Sequence, residues 1–259
     1  MLELDKLSLA IGKQSLVREL SLQLQPGQLH VIIGPNGTGK TSLLRALFGE
    51  LPLQQGEIRF GGHALSRRHG ASWRRQFGYM PQNTQLELEL SVLEVVVLGR
   101  LDSLSMRLSD DDILAALSAL QALGIAHLAD RAMHSLSGGQ RQMVLFAQVL
   151  LRDPQIMMLD EPVSALDLQH QLQLMEHLHH QTRAKNWVSL VVLHDLNLAA
   201  QFADRLIVLA GGTLQAFGPP AEVLDAGLIH RLYSVPVDIH RDRDGKPYIR
   251  TLRQASLCA

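Results

Sequence analysis

Residues 34–41 read Gly-Pro-Asn-Gly-Thr-Gly-Lys-Thr, and no other stretch narrows the possible folds so far. The pattern G-x-x-x-x-G-K-[ST] has meaning only between a buried strand and a helix. Both are present in outline. Residues 29–33 form an apolar run, and residues 40–48 carry apolar side chains at helical spacing. The glycines let the backbone curl with its N–H groups turned inward toward an anion. Lys40 brings a positive charge to the β- and γ-phosphates, and Thr41 a hydroxyl for Mg²⁺. The N-terminus of the following helix adds its dipole. Asn36-Gly37-Thr38 also spells a glycosylation sequon, which a phosphate loop renders a false match.

The rest of the chain supplies the frame for such a loop. Residues 2–10 and 17–24 alternate apolar and polar side chains, as half-buried strands do, and residues 11–14 read as the turn between them. Residues 53–62 read as a hairpin arm and residues 77–80 as a short strand. The texture turns helical at about Leu86. A helix is expected over residues 91–98, with Ser91 and Glu94 spaced as a capping box. Another is expected over residues 111–123 behind the acidic run 109–112, and a third over residues 137–151. Strands return at residues 156–159, 188–193 and 206–209, separated by helices at 169–180 and 196–202. Strands alternating with helices predict a parallel sheet. A tail helix over residues 221–232 and a small hairpin (235–239 with 247–251) complete the outline.

Three further groups of residues carry chemistry. Asp160 and Glu161 follow the run 156–159, where a carboxylate at a strand's carboxyl end can hold Mg²⁺ and a neighbour can polarise water. His194 follows residues 188–193 at the same edge, placed to bond a phosphate oxygen. Leu136-Ser137-Gly138-Gly139-Gln140 opens a helix with a capping serine and two glycines whose N–H groups can approach an anion. The residues alone leave open whose phosphate that would be. His177, His179 and His180 are spaced unsuitably for a metal and are expected on a solvated surface.

Composition excludes other classes. The chain has 259 residues, enough for one large domain or two small ones, with 46% hydrophobic and 19% charged residues. A net charge of -1 argues against a nucleic-acid surface. The one cysteine, Cys258, excludes an internal disulfide. No apolar run approaches the length of a membrane span, and the N-terminus lacks the pattern of a signal peptide, so a cytoplasmic chain is expected.

Together these segments resemble the ATP-binding subunit of ABC transporters. Gly34, Pro35, Asn36, Gly37, Thr38, Gly39, Lys40 and Thr41 look like its Walker A motif, and Gln82 like its Q-loop glutamine. Ser137, Gly138, Gly139 and Gln140 match its signature, Asp160 and Glu161 its Walker B end, Asp167 its D-loop, and His194 its switch histidine. The resemblance implies an α/β fold: a P-loop NTPase ABC ATPase domain with an antiparallel β subdomain and a helical insert. It implies a single domain over 1–259, with an α/β core at 1–85 and 153–233, a helical subdomain at 86–152 and a C-terminal extension at 234–259. ATP and Mg²⁺ are the implied cofactors. Glu161, His194, Lys40 and Gln82 would be catalytic, and Thr41, Gln82 and Asp160 would hold the metal. Nucleotide would meet residues 34–41, Ser42, Ile11 and Asp167, and the signature of a second copy. Ile11 stands where the family has an adenine-stacking aromatic, and Val163 where it commonly has threonine.

A finer likeness, to importer ATPases for iron–siderophore complexes, haem and vitamin B12, rests on three stretches. They are Leu193-His194-Asp195-Leu196-Asn197-Leu198-Ala199, Gly218-Pro219-Pro220-Ala221-Glu222-Val223-Leu224, and tail residues 235–240. It implies iron–siderophore uptake through a separate transmembrane permease, with an extracytoplasmic binding protein indirectly. The chain would lie peripherally on the cytoplasmic face of the inner membrane and bind no nucleic acid. Import of haem, vitamin B12 or a metal ion, or service to an exporter, are the alternatives.

Overall fold

The structure, a computed structural model, describes residues 1–12, 14–65, 70–82, 89–100 and 109–252. The helical boundary expected at Leu86, and Cys258, lie outside them. Strands β1 (Leu2–Ile11) and β2 (Gln14–Leu24) pair antiparallel, with Leu2 opposite Leu24 and Leu4 opposite Leu22. Their apolar alternation points one face inward, as period-two patterning requires. Next come β3 (Gln28–Ile33) and helix α1 (Lys40–Leu47). Strands β4 (Gln55–Phe60) and β5 (His63–Ala64) complete a four-stranded sheet in the order β2-β1-β4-β5.

A second sheet has six strands. Its members are β3, β6 (Phe77–Met80), β7 (Ile156–Asp160), β8 (Val188–Val192), β9 (Arg205–Ala210) and β10 (Thr213–Gly218). Their order is β10-β9-β3-β8-β7-β6, parallel except for β10 at one edge. The central strands are mostly apolar because both faces are covered, with His30 of β3 and Ser189 of β8 as buried polar exceptions. Leu29, Val31 and Ile33 of β3 enter the core shared with the helices, whereas Ile32 faces the four-stranded sheet and α1. Strand β7 divides likewise, Met157 and Leu159 to one side, Ile156 and Met158 to the other. Strand β10 escaped the sequence reading, although Gly211-Gly212, both at positive φ, was its available hairpin signal.

Between α2 (Gly70–Arg74) with β6 and the return at β7 lie α3 (Val92–Val97), α4 (Asp110–Ala122) and α5 (Gly138–Leu151). Each of the last three opens on a capping box: Ser91 with Glu94, Ser109 with Asp112, Ser137 with Gln140. These boxes satisfy end donors that a helix cannot bond internally. Helix α6 (Leu168–Ala184) joins β7 to β8, and α7 (Leu196–Phe202) joins β8 to β9. The single tail helix expected over 221–232 is instead two, α8 (Pro220–Val223) and α9 (Ala226–Tyr233). The Asp225 carboxylate accepts from Leu228 N–H at 2.8 Å and restarts the helix. Strands β11 (Val237–Arg241) and β12 (Pro247–Thr251) form the tail hairpin. Among the described residues no helix is long and apolar enough to cross a membrane.

His30 is wholly buried in β3, its Nδ1 3.2 Å from the Ser189 carbonyl and its Nε2 without a partner. Burial lowers its pKa to about 4. The folded state therefore holds His30 neutral at pH values where the unfolded chain, near 6.5, binds a proton. Stability from this group is complete above pH 6.5 and is lost as pH falls toward 4. The expected loss is about 2 kcal/mol between pH 7.5 and pH 5. Urea unfolding at both pH values, for the wild type and His30→Leu, measures it: the wild type should lose about that much more stability than the variant.

Candidate functional site

The loop after β3 is shaped by backbone that only glycine tolerates. Gly34 has φ +151°, and a Cβ there would lie 2.0 Å from the Leu209 carbonyl oxygen. The loop therefore passes directly over β9. Gly39, at φ +89°, leads into α1, whose N-terminus has no side-chain cap and no acidic residue in its first turn. Its free N–H groups and positive dipole end are left to an external anion. Lys40 is buried inside the curl, its Nζ donating to the carbonyls of Gly34 at 2.7 Å and Pro35 at 2.9 Å. Burial lowers the Lys40 pKa, and Glu161 and Asp160 nearby oppose that shift. Thr38 fixes the turn by donating to Pro35 O at 2.9 Å.

Asp160 ends β7 fully buried, with neither carboxylate oxygen hydrogen-bonded. Burial pushes its pKa up, and the Thr41 hydroxyl is near enough to temper the rise without closing a bond to either oxygen. A buried carboxylate facing a hydroxyl and lacking partners is incomplete as protein alone, and its oxygens suit a hard divalent cation. Glu161 leaves the strand at φ 52°, a left-handed conformation that costs a non-glycine residue about 1 kcal/mol or more. That turn carries its carboxylate out of the sheet. Oε2 accepts from Gln82 Nε2 at 2.7 Å, and Oε1 pairs with His194 Nε2.

Most of these groups meet along one open groove of about 530 Å³, and Asp160 lines an adjoining cavity that shares Thr41 and Gln82 with it. The groove is lined by Asn36, Gly37, Thr38, Gly39, Lys40, Thr41, Ser42, Gln82, Glu161 and His194, with Ile11, Gln14 and Leu16 at one wall. Ile11 is 53% exposed, so its aliphatic face is available to a flat ligand. Ser137, Gly138, Gly139, Gln140 and Asp167 do not line this groove. Ser137 and Gln140 close the cap of α5, and Asp167 caps α6 by accepting from His170 N–H at 3.0 Å. Within one chain, then, the α5 N-terminus and the phosphate loop are separate surfaces.

The sequence reading missed Gln142. It is buried on α5, donating to Glu161 O and Ser164 Oγ, both at 3.2 Å, and accepting from Ala165 N–H at 3.1 Å. It thereby ties the helix bearing Gly138 and Gly139 to the backbone bearing Glu161. The available signal was its spacing: Gln142 heads a buried stripe continued by Phe146 and Val149. The Tyr233 hydroxyl, also missed, faces the backbone of Gly34 from α9. The histidine cluster needs correction. His177 and His179 are half-buried, not solvated, and His177 sets its ring edge-on to Phe146 at 6.2 Å. Burial lowers the pKa of both. No group among the described residues could hold a metal through clustered His, Cys, Asp and Glu.

Comparison with known proteins gives consistent matches. Residues 17–164 match the family model described as ABC transporter. The hemin import ATP-binding protein HmuV of Plesiomonas shigelloides is 40% identical over 253 residues, covering 91% of this chain and 95% of that protein. The ferric enterobactin transport ATP-binding protein FepC of Escherichia coli K12 is 38% identical over 233 residues, covering 89% and 86%. Among solved structures, an inward-facing chain described as a metal-chelate type ABC transporter aligns with TM-score 0.83 at 26% identity, covering 98% of both chains. A dimeric bacterial ABC transporter cassette, MJ0796, aligns with TM-score 0.77 at 25% identity, covering 85% of this chain and 98% of that one.

Proposed function

The chain belongs to the ABC transporter family as an ATPase coupled to transport, and from that premise we propose that it energises uptake of an iron chelate through a separate permease. The observation that carries the hydrolytic part is the Glu161 carboxylate, held between Gln82 and His194 at the rim of the groove that Lys40 closes. ATP would lay its phosphates in the loop of residues 34–41, with Ser42 beside them and its base against Ile11. Lys40 would exchange its carbonyl partners for β- and γ-phosphate oxygens. Asp160 and Thr41 would hold Mg²⁺, with Gln82 beside it, and the ion when bound neutralises phosphate charge. Glu161 would accept the proton of a water attacking the γ-phosphorus as the bond to ADP breaks, and His194 would orient Glu161 and the departing phosphate.

A single chain leaves Gly138 and Gly139 without a phosphate. Two copies set head to tail would bring Ser137, Gly138, Gly139, Gln140 and Asp167 of one copy over the groove of the other. That arrangement gives the N–H groups of Gly138 and Gly139, which the capping box of Ser137 and Gln140 does not use, an anion to meet. The permease would bind the outer face of the pair, and an extracytoplasmic binding protein would act through that permease.

The iron-chelate class is supported by relatives named for hemin import and for ferric enterobactin transport. Ferric siderophore is the first reading, from the stretch around His194 and the tail. Haem is the second, favoured by the 40% identity to a hemin import protein. Uptake of radiolabelled ferric siderophore, haem and vitamin B12 in a deletion strain without a redundant importer tests both. At least one iron chelate should fail to enter, and the wild-type gene but not Lys40→Ala should restore it. Normal uptake of all three cargoes would remove the assignment and leave the ATPase standing.

A further inference from the structure

The stretch at residues 193–199 meets, at one side chain, strand β12 of the hairpin whose other strand, β11, carries tail residues 237–240. Asn197, in the first turn of α7, lies against the edge of β12 as another strand would. Its Nδ2 donates to Ile249 O at 3.1 Å, and its Oδ1 accepts from Ile249 N–H at 2.7 Å. Ile249 can offer both groups because of the hairpin register. It stands opposite Ile239, and the flanking bonds run from Leu252 N–H to Pro236 O and from Asp242 N–H to Lys246 O, each 2.9 Å. That alternation turns the N–H and C=O of Ile249 away from β11. Its side chain is buried in the core. The pairing is therefore directional and doubly bonded, and residues 52 positions apart make it.

Asn197 is also bound at its backbone. Its N–H donates to Asp195 Oδ1 at 2.8 Å, and Leu198 N–H donates to the same oxygen at 3.0 Å. Asp195 directly follows His194, whose ring pairs with Glu161. At the other end of α7, Lys246 Nζ bonds the carbonyl of Gln201. The hairpin thus grips α7 at both ends, while Tyr233, at the end of α9, faces Gly34. His194 itself has an exposed side chain.

We propose that Asn197 is a positioning residue: through it the C-terminal hairpin fixes the start of α7 and so holds His194 against Glu161. The inference rests on the reading of Glu161 and His194 as the hydrolytic pair. It makes the extension part of the hydrolytic machinery and gives it no contact with nucleotide. Losing the link should slow the chemical step and leave ATP binding, which the loop of residues 34–41 provides, unchanged.

The test is steady-state ATP hydrolysis by the full-length chain as wild type, Asn197→Ala, Ile249→Pro and the double variant. Proline at 249 removes the N–H that Asn197 accepts and no bond of the hairpin ladder. Each single variant should lower kcat by about fivefold with KM for ATP within about twofold of wild type. The double variant should be no slower than the slower single variant, because both break one link. Wild-type kcat in Asn197→Ala, a KM that rises in step with the loss of kcat, or losses that multiply would each overturn the proposal. Amide hydrogen exchange on the wild type provides a readout independent of any variant's folding. Ile249 N–H should be as protected as the ladder amides and should change with nucleotide together with the amides of α7. Change in α7 alone overturns the link. Full activity in His194→Ala would overturn the underlying hydrolytic reading instead, a result separable from wild-type behaviour of Asn197→Ala.

Discussion

Glu161→Gln is expected to lower ATP turnover by about two to three orders of magnitude while ATP still binds, the loss typical of removing a positioned general base. The substitution keeps the side chain's size, and its amide oxygen can still accept from Gln82, which now donates at 2.7 Å. What disappears is the charge that would take a proton from water. The strained backbone at Glu161, φ 52°, should be unaffected, since Gln and Glu share the same Cβ constraints. Single-turnover phosphate release, measured beside ATP-analogue binding, separates the two effects. Turnover within a few fold of wild type would take Glu161 out of the role.

Lys40→Ala should act at the earlier step. The ammonium is buried in the curl of the loop, and burial commits it to that place. Charge-assisted hydrogen bonds to phosphate contribute about 1.5–3 kcal/mol each, so losing two should weaken ATP binding by about 100-fold or more. The variant also leaves the Gly34 and Pro35 carbonyls without their donor. Lys40→Arg should not restore binding, because a planar guanidinium does not fit a buried curl shaped around a compact ammonium. Calorimetric titration with a non-hydrolysable ATP analogue checks both variants. Affinity near that of wild type in Lys40→Ala would show that the loop's N–H groups suffice.

The parts of this fold that could be read from sequence are those whose cause is local. The turn 34–41, the alternation in β1 and β2, and the Ser91–Glu94 box each lie within a few residues of one another. Asp160, Glu161 and His194 could be placed on one edge because parallel strands put their carboxyl ends together. Their contacts could not be foreseen. The carboxylate of Glu161 meets partners 79 and 33 positions away, and the turn that presents it is left-handed at a residue that ordinarily avoids it. Gln142 was hidden for the same reason: its three partners lie beyond β7, 19 to 23 positions away. The break between α8 and α9 was obscured by apolar spacing that runs on through Leu224. Asp225 reads as an interior residue until its carboxylate is seen to cap. His177 reads as a surface residue in a polar run, yet Phe146 of another helix covers one edge of it.

On this proposal nucleotide is enclosed between two copies of this chain, Gly138 and Gly139 of one facing the phosphate loop of the other. Light scattering on Glu161→Gln reads this out, since slow hydrolysis preserves the enclosed state. Without nucleotide the protein should scatter as a single 28.7 kDa chain, and with ATP and Mg²⁺ as twice that mass. Gly138→Asp in the same background should return it to the single-chain mass, because a carboxylate at the start of α5 repels the partner's phosphates. A protein that binds ATP yet keeps the single-chain mass, or a Gly138→Asp variant that still doubles, would rule out enclosure between two copies.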